Sequence, residues 1–390
     1  MPVLNRLADQ QPEIAAWRRD LHRHPEIGFE THRTAAFVSD KLRAFGCDEV
    51  ATGIGRTGVV GVIRGRQTAS GRVIGLRADM DALPMQEETG LEHASTIDGA
   101  MHACGHDGHT AMLLGAARHL AETRNFDGTA VVIFQPAEET LGGAKEMLAD
   151  GLMERFGIAE VYGLHNAPGL PIGSFAIRPG PFLASSDGFT LTITGRGGHA
   201  AMPHECIDTT LVASEIVVAL QSIVARSLDP LKSAVLTVTS FRTGSDTYNI
   251  IPEIVTLRGT IRALDPDVRD EIPSRIKQLA AGIAGAHDAR ASFDYHRSDP
   301  VTVNHPGQTE IAARIAGEIS GAAHVDSDAP PVMGAEDFSF MLEARPGAFM
   351  FLGNGDSSKL HHPQYDFDDA AIPVGCSYWV RLVEGMMQVA

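Results

Sequence analysis

Between Met101 and His109 the chain reads Met-His-Ala-Cys-Gly-His-Asp-Gly-His, crowding a thiol, three imidazoles and a carboxyl into one short stretch. Cys104 and His106 stand two residues apart just ahead of a helical pattern, so a loop there can aim both side chains at one point. Thiolate and imidazole ligate zinc and its first-row neighbours, whereas magnesium and calcium prefer oxygen. The ordinary alternative is a buried cysteine among satisfied loop histidines. The density of donors weighs against it.

A second chemical element follows the apolar run 129–135, where Gln135-Pro136-Ala137-Glu138-Glu139 places adjacent carboxylates at the C-terminal end of an expected strand. Ligand sites of open α/β sheets gather at that edge. Neighbouring residues of an extended segment point opposite ways, so one carboxylate can bind metal while the other handles a proton. Alone, the pair could equally be a solvated start to the next helix. His165 closes another strand-like run, and His361-His362-Pro363 follows a polar loop; chemistry does not separate His361 from His362. Arg77-Ala78-Asp79-Met80-Asp81 is a third carboxylate-bearing strand end. There Asp81 is suited either to orient a metal-ligating histidine or to cap a turn.

These residues need a scaffold. Residues 12–45 carry helical spacing broken at His24-Pro25, and read as two helices. Short apolar runs at 58–64, 72–78, 129–135 and 161–165 alternate with helical patterns at 110–123 and 144–152. That alternation predicts an α/β layer fold with a mostly parallel sheet. From Gly188 the order becomes strand (188–195), helix (208–227), strand (234–241), strand (254–264), helix (266–284), strand (289–297). This is the split βαβ order of a ferredoxin-like domain. After Pro300 the α/β pattern returns, with helices near 308–319 and 374–387 around a strand at 348–352. A discontinuous catalytic domain, residues 1–181 and 296–390, with an inserted lid and dimerisation domain, 182–295, follows. The Pro/Gly-rich breaks 178–181 and 298–300 mark its seams.

The chain has 390 residues, 44% of them hydrophobic and 21% charged, which is the composition of a globular protein of about two domains. Its formal charge of -17 repels phosphate backbones, so nucleic acid is not an expected partner. No run approaches the roughly 18 consecutive apolar residues of a membrane span, and the first residues are too polar for a signal peptide. Cys47, Cys104, Cys206 and Cys376 lack a disulfide-framework spacing. The expectation is a cytoplasmic protein without a membrane partner.

In one order the chain carries LHRHPEIGFE (21–30), LRADMDALPM (76–85), MHACGHDGHTAMLLG (101–115), QPAEE (135–139), GLHN (163–166), GRGGHAAMPH (195–204), NIIP (249–252), MGAEDFSF (333–340) and LHHPQYDFDD (360–369). This string resembles the hippurate hydrolase and indole-acetyl-amino-acid hydrolase branch of the aminoacylase-type metallopeptidases, over essentially the whole chain. The resemblance implies that Cys104, His106, Glu139, His165 and His361 hold two divalent metals, with Glu138 as general base and acid. His361 is favoured over His362 by the family's Leu-His-x-Pro spacing. Manganese or zinc would be the metal, with cobalt or nickel as further candidates. Where the wider superfamily has His-x-Asp, this chain has Asp79-Met80-Asp81 and lacks that histidine.

The resemblance further implies that His199 reaches the site from a partner subunit to steady an oxyanion, and that Asn249, Arg262 and Gly334 contact substrate. It makes the protein a homodimer joined at an edge strand of the ferredoxin-like domain. The implied reaction is hydrolysis of N-acyl amino acids. The same metal core would also serve a dipeptidase or aminopeptidase, or a metal- or ligand-binding protein without catalysis.

Overall fold

A computed structural model describes residues 4–139 and 142–389. Apolar residues at helical spacing form α1 (Asn5–Arg23), which buries Leu7, Ile14, Trp17 and Leu21 and stops before Pro25. The next helix, α2 (His32–Phe45), ends on Gly46 at φ 81°, a left-handed conformation that favours glycine. At its start the Glu26 carboxylate accepts the N–H groups of Arg33 (2.9 Å) and Thr34 (2.8 Å), a structural role for part of the LHRHPE motif.

Six strands follow in the first unit: β1 (Glu49–Ile54), β2 (Gly58–Arg64), β3 (Val73–Asp79), β4 (Thr129–Gln135), β5 (Glu160–Ala167) and β6 (Phe175–Ala176). Helix α3 (His106–Thr123) lies between β3 and β4, and α4 (Gly143–Ala149) and α5 (Leu152–Arg155) between β4 and β5. Strands β3, β4 and β5 are mutually parallel and almost wholly buried, which is why they read as unbroken apolar runs. Strand β2 runs antiparallel to both β1 and β4. Sequence reading passes over β1, whose Glu49-Val50-Ala51-Thr52-Gly53-Ile54 offers little apolar signal.

The chain parts into two compact units. The second comprises 181–302 and 331–336, whereas the sequence reading puts the seams at 181/182 and 295/296. After β7 (Gly180–Leu183) come β8 (Asp187–Thr194), β9 (Gly198–His199), α6 (Thr209–Ser222), β10 (Ala234–Thr243), β11 (Ile250–Ile251), β12 (Ile254–Ala263), α7 (Pro266–Ala286) and β13 (Arg290–Arg297). The four longer strands form an antiparallel sheet in the order β10-β12-β8-β13, the ferredoxin-like arrangement. Burial alternates along β8, and Phe189, Leu191 and Ile193 pack with Ile216, Leu220, Ile272 and Ile276 of the helices. Asp208 and Asp265 cap α6 and α7, each accepting two backbone N–H groups. The segment Thr209–Ser227, α6 with its π-turn extension, has a mean hydropathy of 1.4, apolar enough by length and composition to cross a membrane. It buries Val212, Ala213, Ile216 and Leu220 against the sheet and leaves Leu211 and Val218 exposed.

The first unit resumes with the end of β14 (Thr302–Asn304), then α8 (Pro306–Ser320), β15 (Val325–Asp326), α9 (Phe338–Ala344), β16 (Gly347–Gly353) and α10 (Ile372–Met386). Strand β16 adds in parallel to β5, completing an eight-stranded sheet in the order β1-β2-β4-β3-β5-β16-β6-β15. Helix α3 is buried on all sides between α1, α2, α10 and the sheet. The expected α/β architecture with its mostly parallel central sheet is present.

Candidate active site

The chemistry-bearing segments meet at the C-terminal ends of the parallel strands β4, β3 and β5. Asp79 ends β3, Gln135 ends β4 just ahead of Glu138 and Glu139, and His165 lies near the end of β5. Cys104 and His106 arrive on the turn into α3, whose Gly105 sits at φ 90°. A Cβ on Gly105 would lie 2.2 Å from Asn166 Nδ2 and 2.6 Å from the Tyr365 hydroxyl, so only glycine fits.

Ligand atoms of Cys104, Glu139 and His361 lie within 4.8 Å of one another, as do those of His106, Glu138 and Glu139. Glu139 belongs to both groups, with His106 Nε2 at 3.8 Å from one oxygen and His361 Nε2 at 3.3 Å from the other. His165 joins through its Nε2, 3.5 Å from Cys104 Sγ. The structure also separates the neighbours that chemistry left open. Both are exposed, but His361 reaches Glu139, whereas the His362 Nδ1 accepts the Gln364 N–H at 3.1 Å.

Asp79, His106, His109 and His165 form another close group. His109, however, has both nitrogens occupied: Nε2 accepts the Asn166 N–H (3.0 Å), so Nδ1 carries the proton it gives to Asp79 (2.6 Å). Asp79 also accepts from Arg77 Nη1 at 2.6 Å. This pair braces the centre from behind rather than offering open ligands.

Do these residues suit a metal? His106 Nδ1 donates to the Asp81 carbonyl at 2.9 Å, which turns Nε2 toward the centre as the nitrogen a metal would take in place of a proton. That atom and Glu139 Oε1 are buried without a hydrogen-bond partner, the arrangement a cation completes. The charge balance agrees. Burial and the Glu139, Glu138 and Asp79 carboxylates raise the Cys104 thiol well above its usual value. Burial opposes charging of His106, yet Asp79, Glu139 and Asp81 push it up to about 10. Burial and the neighbouring His109 take His165 well below its usual value, so it presents a neutral ring. A centre with surplus negative charge and S, N and O donors fits a borderline divalent ion.

Asp81 lies at the centre as well, but its two ends act differently. Its carbonyl orients His106, while its carboxylate accepts the backbone N–H groups of Glu138 (2.9 Å) and Glu139 (3.2 Å). Backbone strain marks the same place: Ala137 (φ 54°) and His361 (φ 62°) are non-glycine residues in the left-handed region.

The second unit holds the remaining predicted residues as two pairs. His199 faces Ile250 across the β9–β11 ladder, and Ala200 N–H donates to the Asn249 carbonyl at 3.0 Å, so exposed His199 and exposed Asn249 are neighbours. The His199 Nδ1 accepts from Ala201 N–H at 3.1 Å, leaving Nε2 outward. Arg262 donates to the Ser186 hydroxyl, and Ala184 N–H donates to the Gly334 carbonyl at 2.9 Å, so these two flank the segment 184–186.

Sequence reasoning saw Asp79 and His109 within their motifs without giving them their supporting roles, and it gave none to Asn166 and Tyr365. Tyr365 O–H donates to Asn166 Oδ1 (2.7 Å), and Asn166 Nδ2 donates to the Cys104 carbonyl (2.6 Å), tying the 360–369 motif to the metal turn. It missed, too, the carboxylate beside His106: Asp107 accepts from Arg18 Nη1 (3.2 Å) and His22 Nδ1 (2.8 Å), both fully buried. The only signal was their presence inside the motifs.

The model of peptidase family M20/M25/M40 matches residues 75–385. The hippurate hydrolase of Campylobacter jejuni is 42% identical, over 98% of each chain. An IAA-amino acid hydrolase of Arabidopsis thaliana, ILR1-like 2, is 39% identical over 94% of this chain and 84% of its own. Among solved structures, the Bacillus subtilis YXEP protein, described as a dinuclear metal binding peptidase of the M20 family, superposes with a TM-score of 0.85 at 33% identity, covering 97% of this chain and 99% of that one. By sequence over nearly its whole length and by fold, the chain belongs to peptidase family M20/M25/M40.

Proposed function

We propose that the centre holds two divalent metal ions, zinc or manganese, on Cys104, His106, Glu139, His165 and His361, and that Glu138 moves the proton in amide hydrolysis. The activity is that of an M20 amidohydrolase, the cleavage of N-acyl amino acids to a carboxylic acid and a free amino acid. The observation that carries the site is that Glu139 joins two donor groups, Cys104–Glu139–His361 and His106–Glu138–Glu139, with His165 against Cys104.

When bound, the metals supply Lewis-acid activation of water and of the scissile carbonyl. The rest falls to the protein. Asp81 holds the backbone of Glu138, whose carboxylate takes the proton of the attacking water and returns it to the leaving nitrogen. His106 is fixed in one tautomer by the Asp81 carbonyl. We assign oxyanion stabilisation to the outward Nε2 of a partner subunit's copy of the 199 histidine, and substrate contacts to Asn249, Arg262 and Gly334. A guanidinium suits the carboxylate that every N-acyl amino acid carries.

A homodimer is part of this reading. It is supported by β10, which among the described residues is an end strand of its sheet and exposes Val235 and Phe241, and by exposed Leu211 and Val218 on α6. A monomer in sedimentation with full activity would rule out a role for the 199 histidine in trans. A cytoplasmic location is supported by four unpaired cysteines.

The test is amino-acid release by chelator-stripped protein, before and after each metal is added. The panel comprises N-benzoylglycine, indole-acetyl and N-acetyl amino acids, and free dipeptides. Metal-restored cleavage of the acylated compounds is expected. Cleavage of free dipeptides alone would make the protein a peptidase, and silence with metal bound would make it a binder.

A further inference from the structure

The loop between β4 and α4 carries Glu138 and Glu139, and one buried carboxylate grips both its ends. Asp337 accepts from Gln135 Nε2, at 2.7 and 2.9 Å from its two oxygens, where the loop leaves β4. The Asp337 Oδ2 also accepts the Ala144 N–H at 2.9 Å, where the chain enters α4. We propose that Asp337 is a positioning residue for the hydrolytic site, fixing Glu138 and Glu139 through the two ends of their loop. This rests on the roles given above to those two glutamates.

The placement of Asp337 is unusual for its type. It stands at the N-cap position of α9 yet makes no capping bond there, whereas Asp208, Asp265 and Asp368 at equivalent positions all cap their own helices. Its carboxylate is spent across the sheet edge instead. The hydrogen bonds around it come from donors. Arg77 Nη2 donates to Asp337 at 3.0 Å, Nη1 to Asp79 at 2.6 Å and Nε to Gln135 Oε1 at 2.9 Å. The last bond turns the Gln135 amide so that its NH2 faces Asp337. The Gln135, Ala144 and Arg77 groups that meet Asp337 are all donors, and an amide in its place would set N–H against N–H at those contacts, while the Glu138 and Glu336 carboxylates lie within 4.8 Å of it.

Between these ends the loop passes through strained Ala137 and is held at its middle by Asp81. With both ends released, the middle contact alone does not fix the direction of two carboxylates. A misplacement of about 1 Å at a catalytic group can cost roughly 100-fold in rate. The predicted signature is a loss in kcat rather than in KM, because Glu138 acts on the reaction rather than on substrate binding.

The experiment compares wild type, Asp337→Asn, Gln135→Met and the double exchange Gln135→Glu/Asp337→Asn. It measures kcat and KM on N-benzoylglycine, zinc affinity by chelator competition, and thermal melting by circular dichroism. Asp337→Asn should lower kcat about 10–100-fold with KM within about threefold, and weaken zinc binding about tenfold. Gln135→Met, which frees one end only, should act in the same direction and less. The double exchange swaps donor and acceptor between the two positions and should recover about tenfold of the lost kcat. A folded Asp337→Asn with a lowered melting point but wild-type kcat and zinc affinity overturns the proposal, as does a double exchange no better than the single one. If Asp337→Asn does not fold, Gln135→Met and the double exchange decide it by the same measures. An inactive wild type would overturn the reading of the site, and zinc affinity would still report on Asp337.

Discussion

The proposed metal centre of the first unit and the residues of the second proposed to meet substrate are built in opposite ways. Around the centre nearly every side chain is buried and held by another: His109 by Asp79 and Asn166, His106 by the Asp81 carbonyl, Asp107 by Arg18 and His22. His199 and Asn249 are exposed, and only short backbone pairing on β9 and β11 holds them. A site that must bind highly charged ions needs fixed donors before the ions arrive. Residues that meet a small-molecule substrate can wait on the surface. The difference teaches that the first unit's chemistry can be read from its own geometry, while the second unit's residues acquire roles only with substrate or partner present.

The sharpest way to break this contrast is Glu138→Gln, which removes the proton carrier and leaves the ligand cage. Turnover should fall by about 10²–10⁴-fold with metal content unchanged by elemental analysis. Retained turnover would show that the buried centre acts without its base. Next comes the exposed side. His199→Ala should lower kcat about 100-fold or more while leaving metal content and fold intact, and an unchanged kcat would remove the second unit from the chemistry. A paired test then asks whether the cage discriminates between neighbours. His361→Ala should weaken metal binding at least about tenfold in chelator competition, and His362→Ala should not.

The smallest effect on turnover concerns the buried support. Burial opposes protonation of His22, yet the Asp107 carboxylate raises it from 6.5 to about 9. A group whose folded value lies above its unfolded one stabilises fully below pH 6.5, and that contribution disappears as pH rises through about 9. Urea unfolding of wild type and His22→Gln should therefore converge over this window, by on the order of 3 kcal/mol. A gap that is constant with pH would mean that His22 is not charged in the folded protein.

Much of this was legible in the sequence for a physical reason. Parallel strands buried on both faces leave apolar runs, and their C-terminal ends carry Asp79, Gln135 and His165 on schedule. Cys104 and His106 could be read because a tight glycine turn brings them together locally. What could not be read were pairings across the sheet. His109 and Asp79 lie 30 positions apart, and Asp337 and Gln135 lie 202 apart, so no spacing announces either bond. Asp337 was hidden further by sitting where an aspartate ordinarily caps its own helix. Helix α9 was missed because it has only 7 residues, and edge strand β1 because its sequence carries little apolar signal.

The most direct test of the central claim is glycine release from N-benzoylglycine as zinc or manganese is titrated into metal-stripped protein. The account predicts no release without metal, and a rise that levels off near two equivalents per chain. Release that is indifferent to metal, or none with two equivalents bound, would contradict it.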